Sequence, residues 1–203
     1  MRVRLVVSLW AVVGCGAWAA APPLELPKLS DAEKKKLDEN QVVLRELKPT
    51  DNRGVSAESM GVIDAPPAEV WPTVRDCEHF SKFLPNTKAS SKKEENGEAL
   101  CFDEISLPFP LTNLWAYTRS TITERDGAYQ RAWSFVRGTY KRNNGAWTVL
   151  PWGAEGKKSL VIYYIDSDPA MLIPDAIIRA AQTGSLPEVF TALRKRVKAL
   201  QGK

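Results

Sequence analysis

Histidine and cysteine are scarce in this sequence, which has one histidine, His79, and three cysteines among 203 residues. A zinc or other transition-metal site needs several such side chains together, so we expect no metal centre. A catalytic triad would need His79 to meet a nucleophile that nothing in the sequence indicates. His79 falls on the polar side of a short predicted helix, where a solvated histidine is the ordinary case.

A concentrated block of positive charge is also missing. The 28 basic and 24 acidic residues leave a formal charge of +4 that is spread along the chain. Nucleic-acid-binding domains carry their basic residues in patches or stripes, so we expect no nucleic-acid partner. The length suits one domain with a short extension. Seven Trp, six Phe and five Tyr are enough for a large apolar interior.

No apolar run in the sequence reaches the roughly 20 residues that span a bilayer. Residues 1–20 instead contain two arginines, the apolar run LVVSLWAVV and the small-residue stretch AWAAA. This order is typical of a secretory signal peptide. We therefore expect an exported protein, located in the periplasm or attached to the bacterial envelope.

The signal peptide can be processed in two ways, and the sequence leaves both open. Simple cleavage would follow Ala19 or Ala21. The alternative is lipoprotein processing, because residues 12–15 (VVGC) resemble a bacterial lipobox in which Cys15 becomes acylated and anchors the protein.

Cys77 and Cys101 remain after either route. In an oxidising compartment they can form a disulfide. They can equally be two buried thiols that behave as small hydrophobic side chains. The sequence does not place their Cα atoms within bonding distance, so both readings stay open.

The rest of the chain is predicted to be one α+β domain over residues 31–203, preceded by a Pro-rich tether at 21–30. Two strands (41–47 and 55–64) come first, and two small helices follow. From residue 87 the hydrophobic period is two, and turn-forming residues separate six further strands. These are 87–94, 98–106, 113–124, 128–137, 145–152 and 158–165. The last element is an amphipathic helix from Pro174, interpreted as one long helix kinked near Pro187, with two helices in line as the alternative. The curved antiparallel sheet is expected to wrap around it.

Five segments carry a family resemblance. They are GVIDAPPAEVW (61–71), RDCEHFSKFLPNTK (75–88), LPFPLTNLWAYTR (107–119), NGAWTVLPW (144–152) and KSLVIYYIDSDP (158–169). Their order resembles the START-type branch of the helix-grip (SRPBCC) superfamily, which also contains the birch-pollen allergen and polyketide cyclases. The resemblance covers about residues 31–200. One departure is Asn113-Leu114, where many relatives have an Arg-Asp pair, so no head-group role of that pair can be carried over.

The resemblance implies a deep cavity for a lipid, a sterol-like or quinone-like compound, or another apolar molecule, without a cofactor. Several aromatic residues can face one side of the sheet. In START-like folds the turn at 108–114 and the start of the final helix flank the cavity mouth, where exposed apolar side chains could touch a membrane during ligand exchange or could equally be ordinary turn packing. The candidate cavity residues are Phe102, Phe109, Leu111, Trp115, Trp133, Phe135, Trp147, Val149, Val161, Tyr163, Ile177 and Ala181.

Carboxylates offer the only sequence argument for catalysis. Asp103 and Glu104 lie in a strand, and Asp166 and Asp168 lie at a strand end. Solvated side chains and a loop cap are the ordinary interpretation, so we expect no enzyme. A cyclase-like or hydrolase-like enzyme using the same cavity, and an interaction protein with a filled core, remain the alternatives.

Three arginines lie on predicted strands, and the sequence does not show which way they point. They are Arg119, Arg131 and Arg137. An inward-facing one would need a partner, because a buried guanidinium is costly without one. Such an arginine would indicate that the ligand has an anionic head group.

Overall fold

The computed structural model describes residues 22–174, 177–178 and 185–202. Its eight strands form one antiparallel sheet with the spatial order β1-β2-β8-β7-β6-β5-β4-β3. The strands are β1 (Val43–Leu47), β2 (Val55–Ile63), β3 (Thr87–Glu95), β4 (Glu98–Ile105), β5 (Leu114–Arg125), β6 (Ala128–Gly138), β7 (Tyr140–Trp152) and β8 (Lys158–Pro169). The predicted antiparallel sheet is confirmed. The predicted signal peptide, Cys15 and Ala181 lie outside the described residues.

Short turns join consecutive strands, as the sequence indicated. Asn96-Gly97 and Asp126-Gly127 all have positive φ angles, which two-residue hairpin turns require and which these residue types tolerate. The predicted separator at Asn143-Asn144 is wrong. These two residues lie inside β7, because the chain already turns at Thr139, between β6 and β7.

Three α-helices complete the fold among the described residues: α1 (Asp31–Asp38), α2 (Pro67–Arg75) and α3 (Leu186–Leu200). A 3-10 helix, Cys77–Lys82, follows α2. The predicted capping box begins α1, with Ser30 Oγ accepting from the Glu33 amide at 3.3 Å. No described helix is long and apolar enough to cross a membrane.

Helix α3 packs on the concave face of the sheet, which is the predicted helix-grip arrangement. Phe190, Leu193 and Val197 are fully or almost fully buried in the core there. Gly61 of β2 makes room for them, since a Cβ at that position would lie 2.4 Å from Phe190 Cδ1. The predicted kink near Pro187 falls beside residues 179–184, which are outside the described residues.

The convex face is covered over β2, β8, β7 and β6 by α1 and by residues 22–30. Leu24 and Leu29 pack against a second buried cluster there. Gln130 Nε2 donates to the Pro22 carbonyl at 2.7 Å, and Arg45 Nη2 donates to the Lys28 carbonyl at 2.8 Å. The segment predicted as a tether is therefore fastened to the sheet from Pro22 onwards.

Candidate functional site

A cavity of about 140 Å³ lies between the concave face of the sheet, residues 80–85 and α3. Six strands contribute to its wall. The apolar part of the lining comes from Phe80, Leu84, Pro85, Ile105, Trp133, Trp147, Ile165 and Val189. A concave, largely apolar enclosure of this kind is the usual form of a small-molecule site.

Three aromatic rings from neighbouring strands form one wall of this cavity. The Trp147 and Tyr163 rings stack with centroids 4.2 Å apart, and Trp133 stacks on Tyr163 at 5.9 Å. Gly145 allows this arrangement, because a Cβ there would lie 2.2 Å from the Trp133 ring. This side of the cavity is therefore aromatic.

The cavity also has polar lining residues, and the charged ones are Asp103 of β4 and Arg131 of β6. Arg131 is buried, and its Nε donates to Ser120 Oγ at 3.0 Å. Its guanidinium carbon lies 5.3 Å from the Phe80 ring centroid and 5.8 Å from that of Trp133. Such aromatic faces stabilise a cation that has been withdrawn from water.

Burial changes the proton affinity of these groups. It raises the pKa of Asp103 to about 6, and the positive charge of Arg131 opposes this rise. Burial lowers the pKa of Arg131 to about 10, against the pull of Asp103. Burial likewise raises the pKa of Tyr163 to about 12. At neutral pH the pair is therefore predominantly one cation and one anion in a confined, poorly hydrated space.

A disulfide fixes one side of the cavity. Cys77 and Cys101 are bonded, with their Cα atoms 6.1 Å apart, which resolves the two readings that the sequence left open. The bond ties the 3-10 helix to β4 and so holds Phe80 over Arg131. Because side chains alternate along a strand, Cys101 and Asp103 face the same side.

The structure brings only part of the predicted set to the cavity. Trp133, Trp147 and Tyr163 line it. Val149 and Val161 are fully buried in the core nearby, and they do not line the cavity. Phe135 packs edge-on against Tyr140, at a centroid distance of 6.4 Å, and is not part of the lining either.

Phe102 and Trp115 lie on the convex face, so the prediction that they line the cavity is wrong. Phe102 alternates with the inward-facing Cys101, and Trp115 alternates with the buried Leu114 and Ala116. The two rings form an outer aromatic cluster with Tyr117, with centroid distances of 5.0 to 6.4 Å.

Two loops form an apolar tip. Phe109 is 97% exposed and Leu172 is 95% exposed. Thr112 Oγ1 donates to Met171 Sδ at 3.7 Å, which holds the two loops together. Leu111 and Ile177 are half-buried, and neither lines the cavity. Phe109, Leu111 and Ile177 thus lie outside the cavity to which the sequence assigned them.

Two predictions about carboxylates are corrected. Asp103 was expected to be solvated but faces the cavity, and its Oδ1 atom is buried without a hydrogen-bond partner. Asp166 was expected at a loop but is fully buried in β8. It accepts from Thr50 Oγ1 at 2.5 Å and lies 2.9 Å from Arg142 Nε, so it fastens a turn to the sheet.

Sequence reasoning named Asp103 but interpreted it as solvated, and it left the direction of Arg131 undecided. One signal was available for the aspartate: if Cys101 is bonded to the helix inside the fold, the residue two positions later must also point inward. For the arginine, the pattern of β6 already put Arg131 on the same face as Trp133 and Phe135, and the sheet register confirms that grouping.

Two other features are less suited to bind a ligand. A wider groove of about 440 Å³ is lined by a mixture of polar and aliphatic residues, and its Arg194 already donates to the carbonyls of Val62 and Asn40, both at 3.0 Å. Asp76, Glu78 and His79 bring possible metal ligands together on the surface, contrary to expectation. Asp76 is engaged there as the cap of the 3-10 helix.

An eight-stranded antiparallel sheet with a C-terminal helix on its concave face is the helix-grip fold. A STAR-related lipid transfer protein from Xanthomonas axonopodis has this fold at a TM-score of 0.64 and 19% identity, over 86% of this chain and 98% of its own. Human StAR-related lipid transfer protein 5 has a TM-score of 0.64 and 13% identity, over 79% of this chain and 83% of its own. A START superfamily protein from Mycobacterium smegmatis has a TM-score of 0.56 and 14% identity, over 72% of this chain and 99% of its own.

The family is identified from the sequence itself. Residues 63–194 match the family described as polyketide cyclase / dehydrase and lipid transport, so the chain belongs to this family. No curated protein matches the chain in sequence. The resemblance to START-type helix-grip proteins that the five segments indicated is thereby confirmed.

Proposed function

We propose that the protein binds an apolar small molecule in the cavity between the sheet and α3. The stacked wall of Trp133, Tyr163 and Trp147 carries this proposal, because it offers an enclosed aromatic surface to a ligand. Burying apolar surface gains roughly 25 cal/mol per Å². The lipid-transport description of the family and the fold shared with lipid transfer proteins support the same function.

The volume of the cavity limits what can bind in it. A dry apolar cavity of about 150 Å³ accommodates benzene. The 140 Å³ enclosed by the described residues therefore suits a ring or a short chain, or one end of a longer molecule. A complete phospholipid would require the wall to move.

Transfer of the ligand would require contact with a membrane, and the apolar tip supports such contact. Phe109 and Leu172 expose almost their whole side chains on adjacent loops. Neither loop, over residues 106–113 or 170–174, contains a charged residue. Inserting two such side chains into the interface of a bilayer would bury apolar area without desolvating a charge.

We infer that the protein acts in the bacterial envelope. The N-terminal signal features motivate this, and a disulfide between Cys77 and Cys101 suits an oxidising compartment. The intact mass of protein recovered from an envelope fraction tests the inference. Loss of the first 19 or 21 residues would indicate simple cleavage, and a diacylglycerol adduct on Cys15 would indicate the lipoprotein route. An uncleaved cytoplasmic product would contradict export.

The binding proposal is tested with Trp133→Ala and a solvatochromic lipid probe. Trp133 is only partly buried and faces the cavity, so its removal should weaken probe binding more than it weakens folding. We expect probe affinity to fall at least about tenfold, the order expected when one large contact is lost. Thermal unfolding measures the effect on stability.

The matched control is Trp115→Ala, which removes the same side chain from the convex face. It should leave probe affinity unchanged. Failure of the parent protein to bind any lipid or ring-sized probe would contradict the binding proposal and favour an interaction protein with a filled core.

An enzyme is the second candidate, and the Asp103–Arg131 pair is the observation that favours it. A carboxyl with a pKa near 6 can exchange protons near neutral pH. We place this candidate second because the described lining contains no histidine or cysteine to serve as a nucleophile or second base. If the protein converted a bound ligand chemically and Asp103→Asn abolished the conversion, the enzyme would become the favoured function.

A further inference from the structure

The polar part of the cavity is incompletely satisfied by the protein. Asp103 Oδ1 is buried and has no hydrogen-bond partner. Such an unpaired buried acceptor costs about 1–3 kcal/mol, and more when it is charged. Outside the cavity, by contrast, the neighbouring Glu104 is hydrogen-bonded to both Lys88 and Asn113.

Arg131 supplies the complementary chemistry. Its Nε is held by Ser120, and its guanidinium lies between the rings of Phe80 and Trp133 at the cavity wall. Among the described residues, no carboxylate lies within 4 Å of its side-chain nitrogens to form a salt bridge. Among the polar residues that line the cavity, Asp103 thus offers an acceptor without a partner in the protein, and Arg131 offers donors.

We propose that Asp103 and Arg131 form a polar subsite for a neutral hydroxyl group carried on a planar ring, so that the ligand has a phenol-type head. The hydroxyl donates to Asp103 Oδ1 and accepts from the Arg131 guanidinium. This proposal rests on the proposed binding function and specifies the chemical class of the ligand.

The charge of the pair argues for a neutral head. An anionic head would gain from Arg131 but would be repelled by Asp103, whose charge already acts on that guanidinium. A cationic head would gain from Asp103 but would be repelled by Arg131. A hydroxyl group is both a donor and an acceptor, so it can satisfy both side chains without adding charge.

The shape of the site argues for a ring. Trp133, Tyr163 and Trp147 line the cavity beside the pair, and aromatic rings pack favourably against one another in offset-stacked or edge-to-face arrangements. The volume of about 140 Å³ is that of a site for a single ring.

Two ring probes that differ by one oxygen test the subsite: 4-ethylphenol and ethylbenzene. Calorimetry at pH 7.5 gives the dissociation constant of each for the purified protein. The measured quantity is the ratio of the ethylbenzene constant to the 4-ethylphenol constant. We expect a ratio of about ten or more, because a buried hydrogen-bonding group left unpaired costs about 1–3 kcal/mol.

Asp103→Leu replaces the acceptor by an apolar side chain of the same branched shape and greater volume, and it should bring the ratio to about one. Asp103→Asn keeps a neutral acceptor and should give an intermediate ratio. Glu104→Gln makes the corresponding change on the opposite face of β4 and should leave the ratio at its parent value.

The outcomes separate the two proposals. If ethylbenzene binds and the ratio is the same in Asp103→Leu as in the parent, the subsite proposal is wrong and the binding function stands. If neither the ring probes nor a lipid probe binds the parent, both proposals are wrong. Tighter binding of 4-ethylbenzoate than of 4-ethylphenol at pH 7.5 would also overturn the subsite, since an anionic head would then be preferred.

Discussion

Two neighbouring acidic residues on β4 have opposite environments. Glu104 faces outward and accepts from Lys88 Nζ at 3.0 Å and from Asn113 Nδ2 at 2.7 Å, and these bonds lower its pKa. Asp103 faces inward, its Oδ1 has no partner, and burial raises its pKa. In this pair the protein itself satisfies the outward-facing carboxylate and leaves one oxygen of the inward-facing carboxylate without a partner. Such a group is a candidate for contact with a ligand.

The arginines of β6 show the same contrast. Arg137 makes two hydrogen bonds to the Glu95 carboxylate on the convex side, at 2.8 and 3.0 Å, and its guanidinium carbon lies 4.1 Å from the Tyr117 ring centroid. Arg131 is buried on the concave side beside Asp103. The outer arginine belongs to an ion pair that is complete within the chain, and the inner one borders an empty space.

The largest expected difference between the two faces concerns tryptophan. Trp147 on the concave face is 2% exposed, whereas Trp115 on the convex face is 36% exposed. We expect Trp147→Ala to lower the free energy of unfolding by about 3–5 kcal/mol, because it leaves a large cavity in a packed core. Trp115→Ala should cost about 1 kcal/mol or less. Urea denaturation of both variants measures the difference.

Equal losses in the two variants would contradict the assignment of the faces. A small loss for Trp147→Ala together with loss of ligand binding would show that its ring contributes more to the site than to the core.

A smaller difference is expected between Asp103 and Glu104 as pH changes. Asp103 has a folded pKa of about 6 against an ordinary value of 3.8. Well below pH 4 it is protonated in both folded and unfolded chains and imposes no penalty. As pH rises from about 4 to 6 the unfolded chain releases this proton first, so stability falls. Well above pH 6 the full penalty of roughly 3 kcal/mol is present, since each pKa unit is worth about 1.4 kcal/mol.

Asp103→Asn should remove this fall, so the difference in free energy of unfolding between variant and parent should grow in favour of the variant from pH 4 to pH 7. Glu104→Gln should have the opposite sign, because the lowered pKa of Glu104 gives stability that is present at neutral pH and lost in acid. Denaturation at four pH values measures both profiles. Parallel profiles for the two variants would contradict the comparison.

The fold could be predicted because its signals are local. Two-residue turns such as Asn96-Gly97 and Asp126-Gly127 bound the hairpins, and alternation defines the strands between them. The facing of Trp115 could not be predicted, because its neighbours Leu114 and Ala116 are apolar too. One face of this part of β5 is buried and the other carries an aromatic cluster, so the hydrophobicity of the residues does not show which face points inward.

The candidate site was harder to predict because part of it depends on an irregularity. Arg131 and Arg137 are six residues apart and would share a face on a regular strand. The pairing of β5 with β6 shifts between Tyr117 and Thr118, so that Val136 has no partner and Arg137 turns outward. A bulge of this kind has no strong sequence signature. The inward direction of Asp103 could have been inferred from a Cys77–Cys101 disulfide, but the sequence did not show whether that bond forms.

The hydrogen bond between Gln130 and the Pro22 carbonyl fastens the N-terminal segment to the sheet, and so limits how far the domain can lie from an anchor at Cys15. If Cys15 carries a lipid, only seven Cα steps join it to Pro22, and an extended chain spans at most about 25 Å over that length. A lipidated protein would therefore remain beside a single leaflet, collecting or delivering its ligand at a high local concentration of that membrane. Cleavage after Ala19 or Ala21 would release the same domain to diffuse between two membranes. If the protein is exported and transfers a ligand as proposed, the processing of residues 12–21 would decide whether the domain stays at one membrane or moves between two.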